Sequence, residues 1–204
     1  MNSSRNYKLA ITGAFGALTV VLGITRLGFI SISPTVSYTI LQVPVILAAI
    51  LGGLFAGMTT GLVFGVMSLI MAAISPAGAL DPLFVNPLVS IVPRVMIGVV
   101  AWTVYNGLSK IRVPKPVAGI IAAYLGTFTN TLLVFAALFI LYFDQISEAV
   151  KGVGYWAVVL AHVPSGAVEG SIGAVLAAAV ISSLIFSGKG KSKLNQSEGE
   201  SDKK

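Results

Sequence analysis

Six long apolar runs, at about 9–25, 39–53, 56–74, 87–109, 117–142 and 156–187, constrain the fold more than any other feature of the chain. A bilayer core about 30 Å thick is crossed by roughly 20 apolar residues in a helix. These runs are continuously apolar, whereas barrel strands alternate apolar and polar residues. Neither Pro44 nor Pro93 vetoes a span, because neighbouring helices can satisfy the freed backbone groups. Only 10% of the residues are charged and 56% are hydrophobic, against about 25% charged in a soluble domain. That excludes an ordinary soluble enzyme and a disordered chain. The expected fold is an all-α integral membrane protein, a six-transmembrane-helix bundle. The bundle should occupy 1–187, and the polar, Gly/Ser-rich segment 188–204 should be a disordered cytoplasmic tail. The first run follows Arg5 and Lys8, as a signal peptide would. It is long for such a segment and lacks a small-residue cleavage site before Arg26, so it reads as a retained helix.

Placing the 13 basic residues on six spans orients the bundle. With the N-terminus inside, Arg5, Lys8, Lys110, Arg112, Lys115, Lys189, Lys191, Lys193, Lys203 and Lys204 are cytoplasmic. Arg26, Arg94 and Lys151 fall at or near the outer side. That asymmetry follows the positive-inside rule and puts both termini in the cytoplasm. The basic balance is then explained by topology and anionic lipid, and nucleic acid is not an expected partner.

Catalytic chemistry finds little to work with. Cysteine is absent and there is a single histidine, so disulfides and thiolate sites are excluded. Gly190-Lys191-Ser192 looks like the end of a phosphate-binding loop, but its first glycine would fall at Ile185; the motif fails. No His-Glu-x-x-His or Gly-x-Ser-x-Gly pattern occurs. Ser165 lies three residues after His162 without an indicated third partner. The chain is expected to be no enzyme, with no cofactor or metal, and any ATP hydrolysis belongs to a partner.

Small and polar residues are informative by position. Gly53, Gly57, Gly61 and Gly65 recur every four residues, as do Gly166 and Gly170; such ridges let helices approach closely in lipid. On the first helix, Ala10, Ala14 and Leu18 share one stripe, and Gly13 and Ala17 lie beside it. That face could pack inside the bundle or dock another subunit. A charge within a span costs at least about 2.5–3.5 kcal/mol, so retained polar groups need a reason. They are Arg94 after Pro93, Arg26 closing the first helix, Glu169 and His162 seven residues apart on one face, Asn130, and Gln42. With the loops 27–38 and 75–86 and with Tyr155 and Trp156, they converge on the outer half. A pocket opening outward, with Arg94 and Arg26 to receive a carboxylate, is the sharper reading. The plainer readings are that Arg94 pairs with Asp81, Arg26 reaches headgroups, Trp156 anchors at the interface and Asn130 joins helices.

The stretch from Ser37 to Leu108 carries a resemblance. Thr39-Ile40-Leu41-Gln42-Val43-Pro44-Val45-Ile46, Leu51-Gly52-Gly53-Leu54-Phe55-Ala56-Gly57 and Gly61-Leu62-Val63-Phe64-Gly65-Val66-Met67-Ser68 are followed by Asn86-Pro87 and Pro93-Arg94-Val95-Met96-Ile97-Gly98. In this order they resemble the substrate-binding S component of energy-coupling factor (ECF) vitamin transporters, above all the pantothenate-type branch. The resemblance implies a multi-pass protein of a prokaryotic cell membrane. It would bind a small vitamin from outside and work with a transmembrane T component and two ABC-type ATPase subunits. It implies ligand contacts at Arg94, Asn86, Asn130, His162 and Glu169, with Gln42, Arg26 and Trp156 as further candidates. It also implies docking on the T component through Ala10 and Ala14, extending to Leu18. Gly53-Leu54-Phe55-Ala56-Gly57 lacks the proline and charge common at this motif. The alternative from another class is a stand-alone proton-coupled secondary transporter of a small organic anion, using His162 and Glu169. Such carriers are commonly built from inverted repeats, and none is visible here.

Overall fold

The computed structural model describes residues 3–33, 36–76, 80–149 and 155–186. Helix α1 (Ser3–Ile24) leads into a hairpin of β1 (Phe29–Ser33) and β2 (Val36–Thr39). Helices α2 (Gln42–Gly52) and α3 (Leu54–Ile74) follow. A 3-10 turn (Asp81–Val85), the one-turn α4 (Pro87–Ser90), α5 (Val92–Lys110), α6 (Lys115–Ala149) and α7 (Tyr155–Phe186) complete the order. The segment 188–204, expected as a tail, and Lys151 lie outside the described residues.

Among the described residues, five helical stretches are long and apolar enough to cross a membrane: Arg5–Ile24, Leu54–Ile74, Pro87–Lys110, Lys115–Ser147 and Pro164–Phe186. The run expected at 39–53 folds differently. Its helix, α2, has 11 residues, all of them buried, and at 1.5 Å per residue it is only about 16 Å long. The chain before it is spent in the antiparallel hairpin, where Phe29 pairs with Thr39 and Ser31 with Ser37. Ile40 N–H then donates to the Gly28 carbonyl, tying the hairpin's base together. Non-helical backbone at depth is tolerated where protein surrounds it.

Glycine decides how closely the helices meet. Gly53 adopts φ 90°, a conformation that suits a residue without Cβ, and is the single residue between α2 and α3. A Cβ on Gly57 would lie 2.6 Å from that of Ala49, and one on Gly65 would lie 2.7 Å from the Ile91 Cα. Gly61 faces the backbone of Arg94 and Val95. The four-residue ridge therefore packs inside the bundle, with α3 backbone against α5. Gly170 likewise meets the Tyr124 ring, and Gly173 meets Ala123, Ile46 and Val43. The main core gathers Val45, Ile46, Ile50, Phe64, Ile97, Ala123 and Ile181 around α2. A smaller one, Val89, Val134, Leu138 and Ile146, lies beside it.

Pro93 sits in the first turn of α5, where its missing N–H removes no helical bond. Helix α6 is bent at Tyr142, which has φ −138°. The alternation of helices places the start of α1, the Gly53 turn, the 110–115 link and the end of α7 at one end of the bundle. The hairpin, Arg26 and Ser75 mark the other. Only 11% of the apolar stretch of α1 is buried. Ala10, Ala14 and Leu18 are all exposed, and a Cβ on Gly13 or Gly16 would meet nothing within 4 Å.

Candidate functional site

Arg94 is the anchor of the polar interior. The bare ridge of α3 lets α5 come close, and Arg94 is carried into the core at 7% exposure. Its Nη1 donates to the Val89 carbonyl at 2.6 Å, so that carbonyl, not Asp81, is its partner. Its guanidinium lies 5.5 Å from the Phe64 ring centroid and 5.1 Å from that of Phe84, a cation–π sandwich that offsets part of the lost hydration. Phe84 is held there by Ser90, whose hydroxyl donates to the Phe84 carbonyl. The Nε of Arg94 has no partner among the described residues.

Across the core, α7 contributes Glu169, 8% exposed. Its Oε1 accepts from the Thr39 N–H at 2.7 Å and its Oε2 from Gln42 Nε2 at 3.2 Å. The carboxylate thus fastens the return strand of the hairpin and the start of α2 to α7. Among the described residues, Arg94 and Glu169 are the two buried charged side chains, and with the buried amides and hydroxyls near them they make up the polar group of the interior.

Helix α6 adds Asn130 and Thr127, a turn apart on one face. Gly126 lies against Ile97, and from that contact Asn130 and Arg94 are each about one turn nearer the hairpin end. On the other side, Gly173 meets Ala123 and Gly166 meets Thr131, which brackets Thr127 at the level of Glu169. Asn130 Oδ1, Thr127 Oγ1, Thr60 Oγ1 and Gln42 Oε1 are buried without a partner. The threonines are informative. Thr12, Thr19, Thr103, Thr129 and Thr131 all donate to the carbonyl four residues earlier, the usual outlet for a helical hydroxyl. Thr60 and Thr127 do not. An unpaired buried polar group costs about 1–3 kcal/mol, and such groups are few in native proteins. Here five of them are carried by α2, α3, α5 and α6.

The other candidates are placed elsewhere or otherwise engaged. Asn86 caps α4 through Oδ1, which accepts from the Leu88 N–H at 3.0 Å. Its Nδ2 donates to the Tyr142 hydroxyl at 3.1 Å, joining the turn to the bend of α6. Arg26, exposed and at φ 59°, donates to the Ser75 carbonyl at 2.7 Å and to the Ser75 hydroxyl. It ties α1 to the end of α3, apart from Arg94. Trp156 is 67% exposed and lies beside Phe139 with ring centroids 6.0 Å apart, outside the polar group. The His162 backbone belongs to α7, and its side chain lies outside the described residues.

One fixed cation, one carboxylate already accepting two N–H bonds, and several unpaired amide and hydroxyl groups suit a small polar molecule bearing a carboxylate. Among the described residues, no group of three or more His, Cys, Asp or Glu could hold a metal ion. Residues 7–181 match the family model of the ECF transporter, substrate-specific component. A search of the curated proteins finds no match.

Proposed function

Since the chain belongs to the ECF transporter substrate-specific component family, and so is a multi-pass, non-catalytic, substrate-binding subunit, we propose that its ligand is pantothenate or a similar small anionic vitamin, bound with high affinity from outside a prokaryotic cell. The observation that carries this is Arg94, a buried guanidinium with a free Nε in a region of unpaired amide and hydroxyl groups. A carboxylate would complete the guanidinium. Hydroxyls and an amide would satisfy Asn130, Thr127, Thr60 and Gln42. Pantothenate offers one carboxylate, one amide and two hydroxyls.

In this reading the hairpin and α2 together make the short second crossing of a six-span bundle, and the hairpin end is outside. The placement of Arg5, Lys8, Lys110, Arg112 and Lys115 at the opposite end supports cytoplasmic termini. The exposed Ala10, Ala14 and Leu18 face of α1 docks a transmembrane T component, which works with two ABC-type ATPase subunits. In the carrier alternative, Glu169 would have to shuttle protons. It is favoured less, because both carboxylate oxygens already hold backbone or amide N–H groups.

The test is equilibrium binding of labelled pantothenate to the purified chain, with unlabelled vitamins as competitors. Tight binding displaced by pantothenate alone is the expected result. Displacement by a different vitamin would overturn the ligand while keeping the family. Uptake by the chain alone in liposomes, driven by a pH gradient without ATP, would establish the carrier instead.

A further inference from the structure

Gln42 begins α2 and is wholly enclosed, at 0% exposure. Its Nε2 donates to Glu169 Oε2 at 3.2 Å. With both carboxylate oxygens of Glu169 accepting N–H bonds, this bond sets which way the amide faces. The nitrogen is on Glu169, and the oxygen is turned elsewhere as an obligatory acceptor. That oxygen has no partner among the described residues. Glu169 is itself prevented from turning, because its other oxygen holds the Thr39 N–H at 2.7 Å. The interior therefore contains an acceptor of fixed direction, bonded to Glu169, which lies level with Thr127 on α6; Gly126 beside Thr127 lies against Ile97, one turn from Arg94 on α5.

We propose that Gln42 Oε1 accepts a hydrogen bond from a hydroxyl of the ligand whose carboxylate engages Arg94, so that Gln42 selects a hydroxylated acid over its deoxygenated analogue, with Glu169 and Thr39 as positioning residues. The inference rests on the anionic-ligand reading above and adds the second half of the recognition. The physical basis is an asymmetry. A site that holds an acceptor for a ligand donor rejects the analogue lacking that donor strongly, because the buried acceptor is then left unpaired.

The experiment measures binding of pantothenate, and of two analogues in which one or the other hydroxyl is replaced by hydrogen, to the purified full chain. The native chain should prefer pantothenate over at least one analogue by about tenfold or more. Gln42→Met keeps the side-chain volume and removes the acceptor. It should bring that preference to within about threefold. Glu169→Gln, which frees the Gln42 amide to turn over, should also narrow the preference, and it serves if the methionine variant does not fold. Equal binding of all three compounds by the native chain would overturn the assignment. So would a Gln42→Met variant that weakens all three alike, the signature of a structural role. If the native chain binds none of the three, the anionic-ligand reading falls and this assignment falls with it.

Discussion

Arg94 and Arg26 look equivalent in the sequence, two arginines at helix ends on one side of the chain's topology. The structure separates them. Arg94 is buried between Phe64 and Phe84, whereas Arg26 is exposed and bonded to Ser75. Arg94→Ala should therefore weaken pantothenate binding by more than tenfold while expression persists, measured by equilibrium binding. Arg94→Lys should recover little of the loss, because an ammonium provides neither the planar stack nor the fork of donors. Arg26→Ala should leave affinity within about threefold, as expected of an exposed side-chain contact. Polarity was legible for Arg94, Asn130, Gln42 and Glu169, since lipid penalises such groups wherever they lack a purpose. Thr60 and Thr127 were not legible. A helical threonine ordinarily bonds its own helix, and a sequence does not reveal which hydroxyls fail to do so.

At the scale of elements, the α3–α5 contact sets the position of Arg94. Gly61→Leu would put a side chain against the Arg94 backbone. It should destabilise the protein by about 1–3 kcal/mol or more and weaken ligand binding, read as a lower Tm and a raised Kd. The same substitution at Gly13, where a Cβ meets nothing within 4 Å, should leave both unchanged. The five long helices were legible from apolar length alone. The expectation for 27–38 is a loop, although Phe29, Ile30 and Ile32 lie among serines, and Val36 and Tyr38 alternate with Ser37 and Thr39 after a Pro-Thr pair, a strand signal. The apolar run at 39–53 masked it, because continuous hydrophobicity does not say whether lipid or protein will cover it.

For the molecule as a whole, α1 carries an exposed face of small residues, Ala10, Gly13, Ala14 and Ala17, bordered by Leu18 and left unpacked by the described residues. Ala14→Trp should leave pantothenate affinity intact, abolish co-purification with a T component and stop ATP-dependent uptake. Loss of ligand affinity in that variant would show instead that the face supports the bundle. Orientation can be checked cleanly, because the chain has no cysteine. A single cysteine placed at Arg112 should react with a membrane-impermeant thiol reagent only from the cytoplasmic side, and one placed at Arg26 only from outside.

The brevity of α2 bears on how the protein is made. A helix of about 16 Å that is buried on every side has no stable residence in lipid by itself. During synthesis, residues 42–52 emerge before α3, α5, α6 and α7 exist to surround them. The hairpin and α2 must therefore wait at the membrane, or pass into it only together with α3 through the Gly53 turn, and settle last. Biogenesis thus inverts chain order, with an early segment completing the centre only after the C-terminal helix has closed around it. A nascent chain halted after α3 should be a readily degraded species, whatever the intrinsic hydrophobicity of its helices.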